Sequence, residues 1–80
     1  MTDVNEKVVR CFTNVFPGIK LDQISSASTD SLEGWDSIAH VRLMSALEEE
    51  FGVRLEMDDF EQLVSYPLIV QRLDGLAANA

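Results

Sequence analysis

The run from Val53 to Met57 is the one stretch of this chain whose apolar side chains alternate, and no second run stands opposite to pair with it. A lone strand leaves its backbone donors and acceptors unmet, so these residues read as an extended connection rather than as part of a sheet. Elsewhere the apolar residues recur at helical spacing. The core therefore has to be buried by helices, and 80 residues allow one domain, spanning residues 1–80. The expected fold class is all-α: a four-helix bundle with three longer helices, one short third helix and a long loop between the first and second.

The first helix is marked by Asp3 and Glu6, spaced as a capping box, and by Val4, Val8, Cys11, Phe12, Val15 and Phe16 along one side. Pro17-Gly18 stops it. Residues 17–36 carry no clear period; a polar turn-forming cluster runs from Ser25 to Ser31, and Ile19, Leu21, Ile24, Leu32 and Trp35 are the candidates for pinning the segment to the core. Loops of this length in compact domains are often functional. The second helix is expected from Ser37 to Phe51, with Asp36 as its cap and Gly52 in the left-handed position beyond its end. Leu43, Met44, Leu47 and Phe51 share its apolar face; Ile38 and Val41 lie on a neighbouring face among Arg42, Ser45, Glu48 and Glu49. Asp58 and Glu61 mark a short capped helix containing Phe60, Leu63 and Val64. A last helix begins near Pro67 and carries Leu68, Ile69, Leu73 and Leu76, weakened at Gly75 and expected to fray over residues 77–80.

Net charge is −8, with −3 in residues 1–40 and −5 in residues 41–80. A field of this sign disfavours nucleic acid and anionic membrane and favours basic partner surfaces; it serves equally to keep a small monomer soluble. The lone Cys11 cannot form an intrachain disulfide, and its place on the apolar side of the first helix makes it a packing residue. No apolar run has membrane-spanning length, and the start Met1-Thr2-Asp3 lacks the basic character of a signal peptide, so a cytoplasmic location is expected. The single His and Cys offer no metal-ligand spacing, and the acids of residues 56–61 lack the glycine of a calcium loop.

The chemically informative segment is Glu33-Gly34-Trp35-Asp36-Ser37-Ile38. Ser37 presents a hydroxyl at the mouth of an amphipathic helix, where free N–H groups and the positive end of the helix dipole favour a phosphodiester. Asp36 beside it can cap the helix or help position a metal-bound donor in a modifying enzyme. Taken alone, an Asp-Ser pair is better read as ordinary capping, because the dipeptide is common. His40, on the side of Leu43, Met44 and Leu47, reads as a satisfied, partly buried histidine rather than a general base. A hydrolase built from Cys11, His40 and Asp36 is a poor reading, because Cys11 belongs to a packed face.

In context the segment says more. Gly34-Trp35-Asp36-Ser37-Ile38, followed by Val41, Leu43 and Leu47-Glu48-Glu49-Glu50-Phe51-Gly52-Val53, resembles the heart of the acyl carrier protein family over about Leu32 to Phe60. That family has a Gly-x-Asp-Ser-Leu-like motif at the start of its second helix and a Leu-Glu-Glu-Glu-Phe-like ending. The resemblance implies a four-helix carrier that catalyses nothing. It further implies that a phosphopantetheinyl transferase moves 4′-phosphopantetheine from coenzyme A onto Ser37, with Asp36 in support, and that the arm holds acyl or aminoacyl cargo as a thioester. Implied partners are that transferase, a loading ligase or acyltransferase, and synthases with basic docking surfaces. The implied partner face comprises Ile38, Val41, Arg42, Glu48, Glu49, Asp58 and Asp59.

The chain departs from the fatty-acid members of that family at Arg42, where they have an acid, at Ala39, where they are often polar, and at Phe60, where they often carry a small residue. Ile38 in place of Leu is a minor change. Trp35 and His40 resemble discrete carriers of specialised pathways. In the family a chain can tuck between the second and third helices, lined here by Leu43, Leu47, Leu55, Phe60, Leu63 and Ile69. A large Phe60 in that space, together with Arg42, points to a short, polar or aminoacyl cargo; the equal alternative is that Phe60 is ordinary core and the helices sit further apart. The competing reading is a small acidic interaction module that is never modified.

Overall fold

The computed structural model describes residues 4–78. The expected capping role of Asp3 and the fraying of residues 79–80 lie outside the described residues. Among the described residues five helices follow one another: α1 (Val4–Val15), α2 (Leu21–Ser25), α3 (Ser37–Phe51), α4 (Met57–Gln62) and α5 (Tyr66–Ala78). Three are long and two short, and no strand occurs among the described residues, so the chain is all-α as expected.

The 3.6-residue period of α1 puts Val8, Cys11 and Phe12 on the buried side, facing Leu43, Met44 and Leu47 of α3 and Ile69 and Leu73 of α5. Most of these side chains are wholly removed from water, each stabilising the fold by about 1.5–3 kcal/mol before entropy is charged against it. Two polar contacts tie the bundle further: the Tyr66 hydroxyl donates to Asn5 Oδ1 (2.8 Å), and Arg10 reaches Glu50 across α1 and α3 (3.4 Å).

The long first loop is more ordered than its sequence period indicates, because it contains α2. A five-residue helix spans little more than one turn, so no apolar repeat exists to be read. Of the expected pins, Ile24 and Trp35 are buried and Ile19 and Leu32 pack partly on the core, but Leu21 is exposed. Ala27 takes a buried place instead. The serine cluster closes a turn in which Ser28 and Ser31 exchange side-chain-to-backbone bonds (3.0 and 3.1 Å). The loop is then stitched to the α4–α5 connection: Thr29 N–H donates to the Val64 carbonyl and Tyr66 N–H to the Ala27 carbonyl, both at 2.9 Å.

α3 matches its expected span. Gly52 ends it at φ +65°, a backbone setting that disfavours side chains, and its N–H returns to the Glu48 carbonyl. α4 is a correction in detail. Its N-cap is Glu56 rather than Asp58, and Leu63 and Val64 fall beyond its last residue. The Asp59 carboxylate accepts from the Glu56 N–H (2.9 Å) and closes the first turn two residues earlier than the charge pattern implied. α5 begins one residue before Pro67, as the early-helix preference of proline requires, and continues through Gly75.

Cys11 is buried, and burial, reinforced by the Glu50 carboxylate and opposed by Arg10, pushes its thiol up from 9.0 to about 11. The folded chain therefore retains a proton that the unfolded chain releases above pH 9, so this contribution to stability is intact below pH 9 and lost as pH rises through about 11. Urea unfolding of wild type and Cys11→Ala across that window should show the steeper alkaline decline in wild type. Parallel declines would contradict it.

Candidate functional site

Everything around Ser37 is arranged by the two residues before it. Trp35 is buried, with its indole edge-on to Phe12 (centroids 5.4 Å, 89°) and tilted against Phe16 (6.0 Å). This aromatic contact fixes the loop where it meets α3. Asp36 follows in an extended conformation, and its carboxylate accepts from Ala39 N–H (2.8 Å) while its carbonyl accepts from His40 N–H (2.8 Å). Asp36 is thus the helix cap, as expected.

Ser37 is the first residue of α3 and is exposed. The N–H groups of Ser37 and Ile38 have no intramolecular acceptor among the described residues. An outward hydroxyl beside two open first-turn donors fits a phosphodiester on Ser37 Oγ: the chain leaves the group room, hydrogen-bond donors and a favourable dipole.

His40 lies one turn into α3, half-buried. The Trp35 indole N–H donates to its Nδ1 (2.9 Å), which makes Nδ1 the acceptor and leaves the proton on Nε2. Nε2–H in turn donates to the Phe60 carbonyl at the far side, 2.6 Å away. The satisfied role expected for His40 is what the geometry gives; the partners are the new finding. Sequence spacing could not supply them, since Trp35 precedes the helix and Phe60 belongs to another. A cleft of about 340 Å³ opens beside Ser37, walled by Thr29, Trp35, His40, Phe60 and Val64. A larger one, about 490 Å³, lies between α4 and α5 around Glu56, Asp58 and Arg72, and contains no serine or other hydroxyl.

The residues expected on a partner face divide into two groups. Ile38 and Val41 are 68% and 53% exposed, and Arg42, Glu49 and Asp58 are also exposed. Glu48 and Asp59 are instead held internally. The Glu48 carboxylate accepts from Leu55 N–H (2.7 Å), holding the extended connection against α3. Asp59 is buried, caps α4 and pairs with Arg72 of α5 (2.9 Å). Asp59 therefore leaves the expected face, and Glu48, half-buried, has one carboxylate oxygen committed to the backbone: a helical face alone does not reveal a carboxylate that folds back onto a backbone donor or a residue of another helix. Met57, placed by the sequence in an extended connection, is instead the first residue of α4 and 80% exposed.

Comparison with family models places these observations. The model described as phosphopantetheine attachment site matches residues 8–73, and the chain belongs to that family. It is a carrier domain, the site of covalent 4′-phosphopantetheine attachment, and not itself an enzyme. Searches of curated proteins and of solved structures gave no significant match. No helix among the described residues is long and apolar enough to cross a membrane.

The division of the acids is testable by stability. Glu48→Ala and Asp59→Ala each strand a backbone donor and should cost about 1–3 kcal/mol. Glu49→Ala and Asp58→Ala should stay within about 0.5 kcal/mol of wild type in urea unfolding. Equal losses in all four would contradict the division.

Proposed function

We propose that Ser37 is the attachment residue and that the chain works as an acyl or aminoacyl carrier. The observation that carries this is the exposed Ser37 hydroxyl at the head of α3, capped by Asp36 and flanked by two unpaired first-turn donors, inside the stretch matched by the family. A phosphopantetheinyl transferase would move 4′-phosphopantetheine from coenzyme A to Ser37: Oγ gives up its proton and bonds the phosphorus as the pyrophosphate bond of coenzyme A breaks and adenosine 3′,5′-bisphosphate leaves. The group supplies a terminal thiol on which cargo is held as a thioester. Ser37 supplies the ester oxygen, and the open end of α3 favours the phosphate's charge. Intact mass after incubation with coenzyme A and a broad-specificity transferase should rise by one pantetheine phosphate in wild type and not in Ser37→Ala, with helicity unchanged. A gain that persists in the variant, or maps to Ser31 or Ser45, overturns the assignment. No gain in wild type favours an unmodified interaction module.

Partners dock on the exposed part of α3 and the start of α4. Ile38 and Val41 form its apolar centre, with Arg42, Glu49 and Asp58 around them. Rim charges of this kind act mainly on association rate. In the same assay, joint reversal of Glu49 and Asp58 to Lys should slow modification most at low salt; no effect at any ionic strength would remove these acids from the interface.

The cargo is short, polar or aminoacyl. Leu43, Leu47, Leu55, Leu63 and Ile69, the expected lining for a long chain, are all buried in one core cluster. Phe60 packs partly on that cluster and lies edge-on to His40 (6.2 Å) at the cleft beside Ser37. A long tail would have to part this packed layer, whereas a short one can stay in the cleft. Each methylene buried in an accepting space adds up to about 0.8 kcal/mol. The melting temperature of loaded forms should plateau after the first few carbons; a steady rise from acetyl through octanoyl and beyond would refute the short-cargo reading.

A further inference from the structure

We infer that His40 is a positioning residue for Ser37: by bonding Trp35 on one ring nitrogen and the Phe60 carbonyl on the other, it clamps both sides of the segment that must enter the transferase. This rests on the assignment of Ser37 as the attachment residue.

Trp35 and His40 bracket Ser37 in sequence, two residues before it and three after, and their side chains meet across it at 2.9 Å. The chain between them is thereby closed into a small ring that holds Asp36 and Ser37. Asp36 alone sets the cap bonds to Ala39 and His40 N–H, but those bonds do not fix how the loop approaches the helix. The approach is set by the Trp35 indole. Its ring is seated against Phe12, and its one polar atom is satisfied by His40. The rings of Trp35 and His40 also lie against one another, 5.9 Å apart and tilted by 34°.

The second bond of His40 reaches a different element. The Phe60 carbonyl belongs to α4, and α4 forms the opposite wall of the cleft that begins at Ser37. One imidazole thus sets the spacing of the attachment turn from that wall. It can do so because its two nitrogens offer one acceptor and one donor, the complement of an indole N–H and a carbonyl. Leucine fills the space and offers neither. Glutamine offers one of each at the end of a chain of comparable reach.

Group transfer to a serine hydroxyl is sensitive to small displacements of the attacking oxygen, and the loss then falls on the chemical step. The clamp's bonds run through the side chains of Trp35 and His40 and none is made by the exposed docking residues Ile38 and Val41, so loss of the clamp should fall mainly on kcat. The experiment is steady-state kinetics of a broad-specificity phosphopantetheinyl transferase with coenzyme A, taking wild type, His40→Leu, His40→Gln and Trp35→Phe as the protein substrates. All are assayed at a temperature where circular dichroism shows them folded. His40→Leu breaks both bonds of the clamp and should lower kcat by about tenfold or more, tenfold being the scale of one lost buried hydrogen bond, with KM nearly unchanged. Trp35→Phe keeps an aromatic ring in the core, trims its volume and removes the N–H donor while leaving the His40–Phe60 bond, so it should lower kcat in the same direction if His40→Leu does not fold. His40→Gln should recover most of the rate. Variants that all match wild type, a defect confined to KM, or a His40→Gln variant as impaired as His40→Leu overturns the inference. Wild type left unmodified at Ser37 would instead overturn the attachment assignment itself.

Discussion

The edge-on contact between Trp35 and Phe12 is the point on which the remainder of the site depends. Phe12 is wholly buried at the meeting of α1, the long loop and α5, with Tyr66 (5.8 Å) and Phe16 (5.9 Å) also against it. A loop seated there by a large indole can begin α3 at one place only. Asp36 then falls in the capping position, Ser37 becomes the first helical residue, and the hydroxyl faces outward at the positive end of the helix. The placement of Ser37, the proposed attachment residue, is thus inherited from core packing some distance beneath it.

The same arrangement separates structural from surface acids. In an acidic chain of net charge −8 it is tempting to treat every exposed-looking carboxylate as part of a docking field. Glu48 and Asp59 instead hold α4 and its preceding connection in place, while Glu49 and Asp58 remain in solvent. Together with Arg42 this makes the proposed docking face mixed in charge, with Ile38, Val41 and Met57 as exposed apolar groups. A partner for such a face needs apolar contact at its centre and has less reason to be uniformly basic than the overall charge implies.

Much of this was legible in the amino-acid sequence, for identifiable reasons. α1, α3 and α5 each span three turns or more, long enough for an apolar repeat to declare itself, and Asp36 and Gly52 bound α3 with residues whose chemistry suits those positions. Ser37 stands out in the sequence as the proposed attachment residue because its neighbours, not the residue alone, form a pattern. What escaped was short or reached across elements. α2 is too brief to show a period. The start of α4 depends on Asp59 folding back to Glu56. The Trp35–His40–Phe60 chain joins three segments through one imidazole, and no local rule connects residues 35, 40 and 60.

The central claim is that the chain carries its cargo on an arm at Ser37, and the state of the protein in its own host addresses that without any added enzyme or coenzyme A. Peptide-level tandem mass spectrometry of protein purified from that host should find 4′-phosphopantetheine on the peptide containing Ser37, free or loaded. Finding Ser37 wholly unmodified while the protein is abundant, or the group on another serine, would contradict the account.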